Sequence, residues 1–198
     1  MSDRCLQVPA LQGHHVRLEP LAQAHAEGLR LAVADGELHR LWYTSAPAPD
    51  AVEAYLQAAL HATSDGQAQA FAVRSMASGA IVGTTRYCHA DAVNRRLEIG
   101  YTWYAASAQR TGVNTESKYL LLRHAFEQLD CIAVEFRTHW LNQRSRAAIA
   151  RLGARQDGIL RNHSRLPDGS LRDTVVFSII ASEWPAVKQH LQFIQEQR

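Results

Sequence analysis

"YAASAQRTGVNTESKYLLLRHAFEQL" runs from Tyr104 to Leu129. It opens as a strand would end and closes as a helix. Between them lies Gln109-Arg110-Thr111-Gly112-Val113-Asn114, a polar turn holding one glycine. Thr115, Tyr119, Leu122, Phe126 and Leu129 recur at helical spacing, which predicts a helix over 111–129 with one apolar face. Upstream, "RRLEIGYTWY" (Arg95 to Tyr104) reads as a strand. Downstream, "CIAVEFRTHW" (Cys131 to Trp140) sets Ile132, Val134, Phe136 and Thr138 on one side of another. A strand, helix and strand in this order predict a right-handed crossover between parallel strands.

The flanking sequence extends the pattern. "HVRLEPL" (His15 to Leu21) alternates as a first strand, and "LAQAHAEGLRLAV" follows with helical composition. Asp50 is placed to cap a helix over "AVEAYLQAALHAT". "AQAFAVRSM" and "AIVGTTRYCHA" are strands, and their short connections favour an antiparallel meander. "NQRSRAAIARLG" is a short helix. "ARQDGILRNHSRL" and "SLRDTVVFSII" flank the turn signal "PDG" as a hairpin. Ser182 is placed to cap a last helix, with Pro185 in its first turn. The order β-α-α-β-β-β-α-β-α-β-β-α predicts an α/β (α+β) fold. Its single mixed, mostly antiparallel sheet has about seven strands and is flanked by helices. One domain is expected over 1–198, with a tail at 1–10, a core over 11–184 and a closing helix over 182–196.

Composition excludes several classes. The 198 residues are 46% hydrophobic and 20% charged, with 21 Lys+Arg against 19 Asp+Glu. That balance demands neither nucleic acid nor an acidic membrane. Arg144, Arg146, Arg151, Arg155, Arg161 and Arg165 form the only case for nucleic acid, and acidic residues scattered among them weaken it. Cys5, Cys88 and Cys131 are far apart and odd in number, which favours a reducing compartment. The ten histidines show no HxxxH or HExxH spacing, so no metal is expected; His139 and His163 are isolated. No signal core opens the chain and no run of ~18 apolar residues occurs, so the expectation is a cytoplasmic protein without a membrane span.

The polar turn carries chemistry of its own. A helix N-terminus offers unpaired N–H groups and partial positive charge. Gly112 lets an anion approach the main chain, and Arg110 adds donors, so a phosphate seat and an ordinary helix entry both fit.

The ordered set of segments resembles the GNAT superfamily of acetyl-CoA-dependent N-acetyltransferases. The loop corresponds to its Q/R-x-x-G-x-G/A signature through Gln109, Gly112 and Asn114, with Asn114 replacing the usual Gly or Ala. "LEIGYTWY" is similar to the family's fourth strand. "NQRSRAAIARLGA", "GHHVRLEPL", "IVGTTRY" and "LPDGSLRDTVVFSI" resemble segments of the branch that includes ribosomal-protein N-terminal acetyltransferases.

The resemblance implies strands four and five splayed around the pantetheine arm of acetyl-CoA. Main chain at Thr102, Trp103 and Tyr104 would hold that arm and polarise the thioester. Amides of Gln109, Arg110, Thr111, Gly112, Val113, Asn114 and Thr115 would hold the pyrophosphate, and Asn142 the pantetheine. Arg110 or Arg144 would meet the adenosine phosphates. Glu98 is the candidate base and Ser145 the candidate acid, with Tyr101 and Tyr104 as further phenols.

Each residue also has a structural reading. Glu98 can pair with Arg86 or Arg137, and Ser145 and Asn142 can cap a helix. Trp42 and Tyr43, in "LHRLWYTSAPAP", are candidates to contact the acceptor or to cover the core edge. The expected activity is acetyl transfer to a primary amine, on a protein N-terminus or a small molecule, by direct attack in a ternary complex. The alternative is a non-catalytic acyl-CoA-binding regulatory module. No nucleic-acid or membrane partner is expected, and both a monomer and a homodimer are compatible with the sequence.

Overall fold

The computed structural model describes residues 8–197; Cys5 and most of the expected N-terminal tail lie outside the described residues. The strands are β1 (Leu11–Gln12), β2 (Val16–Pro20), β3 (Ala68–Ser75), β4 (Ile81–Asp91), β5 (Arg96–Tyr104), β6 (Ala133–His139), β7 (Arg155–Arg165) and β8 (Leu171–Ile180). They form one sheet in the order β1-β2-β3-β4-β5-β6-β8-β7. Every neighbouring pair is antiparallel except β5 and β6. The sheet has eight strands against about seven expected. The extra one is β1, a two-residue pairing of Leu11 with Leu18 and Gln12 with Arg17 that is too short to show a period.

Five helices complete the fold: α1 (Ala26–Ala34), α2 (Val52–Ser64), α3 (Gly112–Glu127), α4 (Gln143–Ala150) and α5 (Trp184–Glu196). Adjacent residues of β4 show how they divide. Tyr87 donates its hydroxyl to the Leu121 carbonyl of α3, while Arg86 lies over the ring of Tyr55 in α2. Neighbours along a strand point to opposite faces, so α2 and α3 lie on opposite sides of the sheet. Leu18, Phe71, Tyr87, Leu97, Leu121 and Phe136 are among the side chains buried between these layers.

α3 departs from the one-faced helix its spacing predicts. Thr115, Leu122 and Phe126 are buried as expected, but Tyr119 and Leu129 are only half-buried. Glu116, Ser117 and Lys118 are buried as well. The cause is its position: the sheet covers one side, and α5 packs Trp184 against Phe126 on another, with ring centroids 5.2 Å apart.

Two expected caps are also corrected. α2 is entered through a 3-10 turn over Pro49–Ala51, with Ala51 at the cap position and no side-chain bond from Asp50. α5 starts after Glu183, not Ser182, again without a side-chain cap. In α5, Pro185 lacks the N–H, three residues on, that a Ser182 cap would have served. Asn142 does cap α4, its Oδ1 accepting the Ser145 N–H at 3.0 Å.

Candidate active site

β5 and β6 pair only through Arg96 with Ala133, Leu97 with Val134 and Glu98 with Glu135. Both strands run on, to Tyr104 and His139, so a wedge opens beyond Glu98. A bulge accompanies the divergence. The register between β4 and β5 slips between Thr84 and Arg86, and Tyr101 takes φ 50°. An extra residue of this kind bends and twists its strand.

Thr102, Trp103 and Tyr104 lie on the diverging stretch, where main chain rather than side chains is available to a ligand. The Thr102 hydroxyl is tied to Thr85 and Lys118, Trp103 is buried near Tyr55, and burial pushes the Tyr104 phenol up, so it stays neutral. Of the two phenols considered beside the site, Tyr104 is thereby sealed in the core. Tyr101 is 44% exposed.

The polar turn is built by local bonds. Gln109 Nε2 donates to the Tyr104 carbonyl at 3.0 Å, and Arg110 takes φ 62°. The Thr111 hydroxyl donates to the Ala108 carbonyl at 2.6 Å and accepts the Val113 N–H at 3.3 Å. Thr111 is thus the N-cap of α3. The N–H groups of Gly112 and Asn114, in the first turn, have no intrahelical acceptor. The Asn114 side chain makes no hydrogen bond among the described residues. Arg151, beyond α4, donates to the Thr115 hydroxyl at 3.2 Å and so places a cation beside this helix start. The family resemblance named Arg110 and Arg144 for the adenosine phosphates and did not name Arg151, which the packing of α4 brings to this helix start.

Gly112 has a reason of its own. A Cβ there would stand 2.7–2.9 Å from the imidazole of His15. Gly112→Ala is therefore expected to lower stability by about 1–3 kcal/mol through overpacking. In thermal melts His15→Ala in the same chain should recover most of that loss. If it recovers none, the ring is not the obstacle.

Glu98 stands at the fork. Its Oε2 meets His89 Nδ1 at 2.9 Å and Arg137 Nε at 3.4 Å. The ion pair is therefore with Arg137 and not with Arg86. Its Oε1 lies over Gly100, 2.9 Å from where a Cβ would sit, and has no hydrogen-bond partner among the described residues. That oxygen is available to take a proton. A shallow polar hollow beside it is lined by His89, Asp91, Arg96, Glu98, Glu135 and Arg137.

Cys88, His89 and Glu98 also place three ligand-type atoms within 4.8 Å of one another. Burial and the charge of Glu98 push the Cys88 thiol up to about 12, and Arg137 occupies the same carboxylate. This charge arrangement disfavours a cation.

Ser145 sits in the first turn of α4, on the β6 side of the fork, while Glu98 is on the β5 side. Asn142 spends its Oδ1 on the cap, which leaves its amide NH2 free to donate. The loop between α1 and α2 brings Trp42 and Tyr43 to His139 at the end of β6, with centroids 4.9 Å and 6.2 Å from the imidazole. Trp42 is 50% exposed, so it faces solvent and not the core edge. His139 Nδ1 accepts the Leu141 N–H at 3.0 Å, and burial, with Arg172 nearby, lowers its pKa. His163 is bonded to the hydroxyl of Thr174 at 3.1 Å, and Thr174 is the cross-strand partner of His139.

Four of the six second-half arginines are engaged within the fold, Arg151 among them. Arg155 pairs with Glu183, Arg161 with Asp173, and Arg146 stacks on Trp140. Among the described residues no helix is long and apolar enough to cross a membrane.

Comparison with known proteins agrees with this geometry. The chain is 32% identical over 110 residues to the Bacillus subtilis (strain 168) protein named "Putative ribosomal N-acetyltransferase YdaF". That match covers 56% of this chain and 59% of the relative, less than two thirds of its length. A GCN5-related N-acetyltransferase from Brucella melitensis superposes with a TM-score of 0.84 at 32% identity, over 94% of this chain and 85% of that one. A T. thermophilus protein, provisionally assigned as an acetyltransferase, does so at 0.82 and 36%, over 94% and 97%. The acetyltransferase (GNAT) domain family matches residues 15–155. With the forked strands and the helix start at its mouth, this places the chain in the GNAT acetyltransferase family.

Proposed function

We propose that the protein transfers the acetyl group of acetyl-CoA to a primary amine by direct attack in a ternary complex. The observation that carries the reading is the fork: β5 leaves β6 at Glu98, and the N-terminus of α3 opens toward the same region. The residues fit acetyl-CoA. The first-turn N–H groups of α3, with Arg151 beside them, suit a pyrophosphate. The unpaired edges of β5 and β6 suit the amides of a pantetheine arm, and the Asn142 NH2 adds a donor.

The acceptor amine must be neutral to attack the thioester carbon. An α-amine titrates near ~8 and a lysine amine near ~10.4, so a base matters more for the second. Glu98 Oε1 takes the proton, directly or through water, as the C–N bond forms. The C–S bond then breaks and the departing CoA sulfur takes a proton, for which the Ser145 hydroxyl is the nearby candidate. Trp42 and Tyr43 flank the acceptor. No cysteine beside the loop suggests an acyl-enzyme; Cys131 is buried ahead of β6.

The test is CoA release with a panel of amines, beside acetyl-CoA binding by calorimetry. Glu98→Gln is expected to lower kcat/KM by roughly 100-fold or more, with acetyl-CoA affinity unchanged. No heat at millimolar acetyl-CoA would overturn the reading. Binding without turnover of any amine would favour the non-catalytic acyl-CoA-binding module.

A further inference from the structure

Four buried polar atoms lie on neighbouring residues on the α2 face of the sheet, and none of them has a hydrogen-bond partner among the described residues. They are Tyr55 Oη, Thr84 Oγ1, Arg86 Nε and Trp103 Nε1. The four are neighbours. Thr84 and Trp103 are register partners across β4 and β5, Tyr55 stands 6.2 Å from Trp103 ring to ring, and the Arg86 guanidinium carbon lies 5.3 Å from the Tyr55 ring. Arg86 is only 6% exposed.

Every atom of the set can donate a hydrogen bond, and two of them, the guanidinium and indole N–H groups, can do nothing else. A buried guanidinium N–H left without an acceptor is costly unless something anionic meets it. The carboxylate of the next register pair, Glu98, makes no ion pair with Arg86 among the described residues. Its Oε2 is held by His89 and Arg137, although Glu98 lies one register step from Arg86, opposite Cys88 where Arg86 is opposite Gly100. Arg172 of β8 adds to the positive charge. It feels both Glu98 and Tyr101, and its one hydrogen bond among the described residues goes to the Thr174 hydroxyl. Tyr101 closes the outer side, its ring 4.1 Å from the Arg86 guanidinium carbon. Its own exposure, on a bulge, leaves it able to swing aside.

We infer that Arg86, with Tyr55, Thr84 and Trp103, forms a carboxylate-binding site for the acceptor, so that the substrate class is an amine carrying a carboxylate within a few bonds. The inference rests on the acetyl-transfer reading for its reaction but not for its binding site. Glu98 Oε1 lies over Gly100, the register partner of Arg86. An acceptor with its nitrogen at Glu98 therefore brings a nearby carboxylate to Arg86, behind Tyr101. The carboxylate can belong to a free α-amino acid or to an acidic first residue of a peptide.

Matched acceptors separate the sources. Alanine against alaninamide tests the α-carboxylate. Asp-Ala amide against Asn-Ala amide tests the side-chain carboxylate. The wild type is expected to prefer the carboxylate member of at least one pair by ~10- to 100-fold in kcat/KM, the range of a lost hydrogen bond to a charged group. Arg86→Met should abolish that preference while leaving the neutral member and acetyl-CoA affinity unchanged. Arg86→Met should also melt no lower than the wild type, because the residue it replaces has no ionic partner. Glutarate should raise the melting temperature of the wild type and not of the variant. Equal turnover of both members of both pairs, or an unchanged preference in Arg86→Met, overturns the assignment. Absence of turnover with every amine overturns acetyl transfer instead. In that case glutarate protection lost in Arg86→Met supports the carboxylate site, and no protection of the wild type overturns it.

Discussion

Glu116→Ala is expected to lower the stability of the protein by about 3–5 kcal/mol, a large effect for one substitution. Glu116 lies in the second turn of α3, where a charged side chain is ordinarily read as solvent-facing. Here it is buried, and its two oxygens accept three consecutive main-chain N–H groups: His14 at 2.8 Å, His15 at 2.6 Å and Val16 at 2.8 Å. Hydrogen bonds to a charged group contribute roughly 1.5–3 kcal/mol each, and buried donors left unmade cost as much again. The sum is discounted because three donors share two oxygens and because water can reach the exposed end of the turn at His14. A negative charge near a helix N-terminus adds a further small stabilisation. Gly13 completes the arrangement, since a Cβ there would collide with the Glu116 carboxyl group.

The same bonds hold the β1–β2 turn against the start of α3. Glu116→Ala should therefore weaken acetyl-CoA binding as well as fold stability. Glu116→Gln should fall between, since one oxygen remains but its NH2 faces donors. Urea unfolding of the three proteins at neutral pH measures the order. A loss in Glu116→Ala below about 1 kcal/mol would mean that the turn holds itself without the carboxylate.

Two buried ionisable residues on α3, Glu116 and Lys118, mark where sequence reading reaches its limit. Periodicity found Thr115, Leu122 and Phe126 because apolar side chains report their own burial. It cannot report a buried ionisable group, whose burial depends on partners elsewhere. Val16 is 100 residues from Glu116, and Thr85 is 33 from Lys118. The order of elements and the parallel crossover were legible, because short connections and hydrophobic alternation constrain topology. The bulge at Tyr101 was not, because a left-handed non-glycine residue leaves no mark in composition. Gly112 was legible as a position where a side chain is unwelcome. The spacing suggested an approaching phosphate, whereas the nearest obstacle is the His15 ring, far away in sequence. For Glu98 the sequence offered two arginines as ion-pair partners, and the fold brings Arg137 to it. Arg86, the other, lies over the rings of Tyr55 and Tyr101 and has no carboxylate partner among the described residues.

The second large effect is a pH dependence centred on Lys118. Relative to Lys118→Met, the wild type is expected to gain stability as pH rises from about 7 to about 10, by roughly 4 kcal/mol at about 1.4 kcal/mol per pKa unit. Burial lowers the Lys118 pKa to about 7 from an ordinary 10.5. Between those values the unfolded chain binds a proton that the folded protein does not. Stability rises with pH wherever the unfolded state binds more protons, so the slope is positive in that window. Below about 7 both states carry the proton, the slope from this group vanishes and its cost is greatest. The geometry agrees with a neutral amine. Lys118 Nζ lies 3.0 Å from the Thr85 hydroxyl and 2.5 Å from that of Thr102, and no carboxylate pairs with it among the described residues. One of the two threonine hydroxyls, themselves 2.8 Å apart, can donate to the amine lone pair, which an ammonium lacks. Thr102 directly follows the Tyr101 bulge, so protonating Lys118 changes the bonds that hold β5 where it leaves β6. Denaturant unfolding of wild type and Lys118→Met at several pH values reads the difference. A gap between them that does not change with pH would show that Lys118 keeps its charge in the fold, and that water reaches it from the wedge.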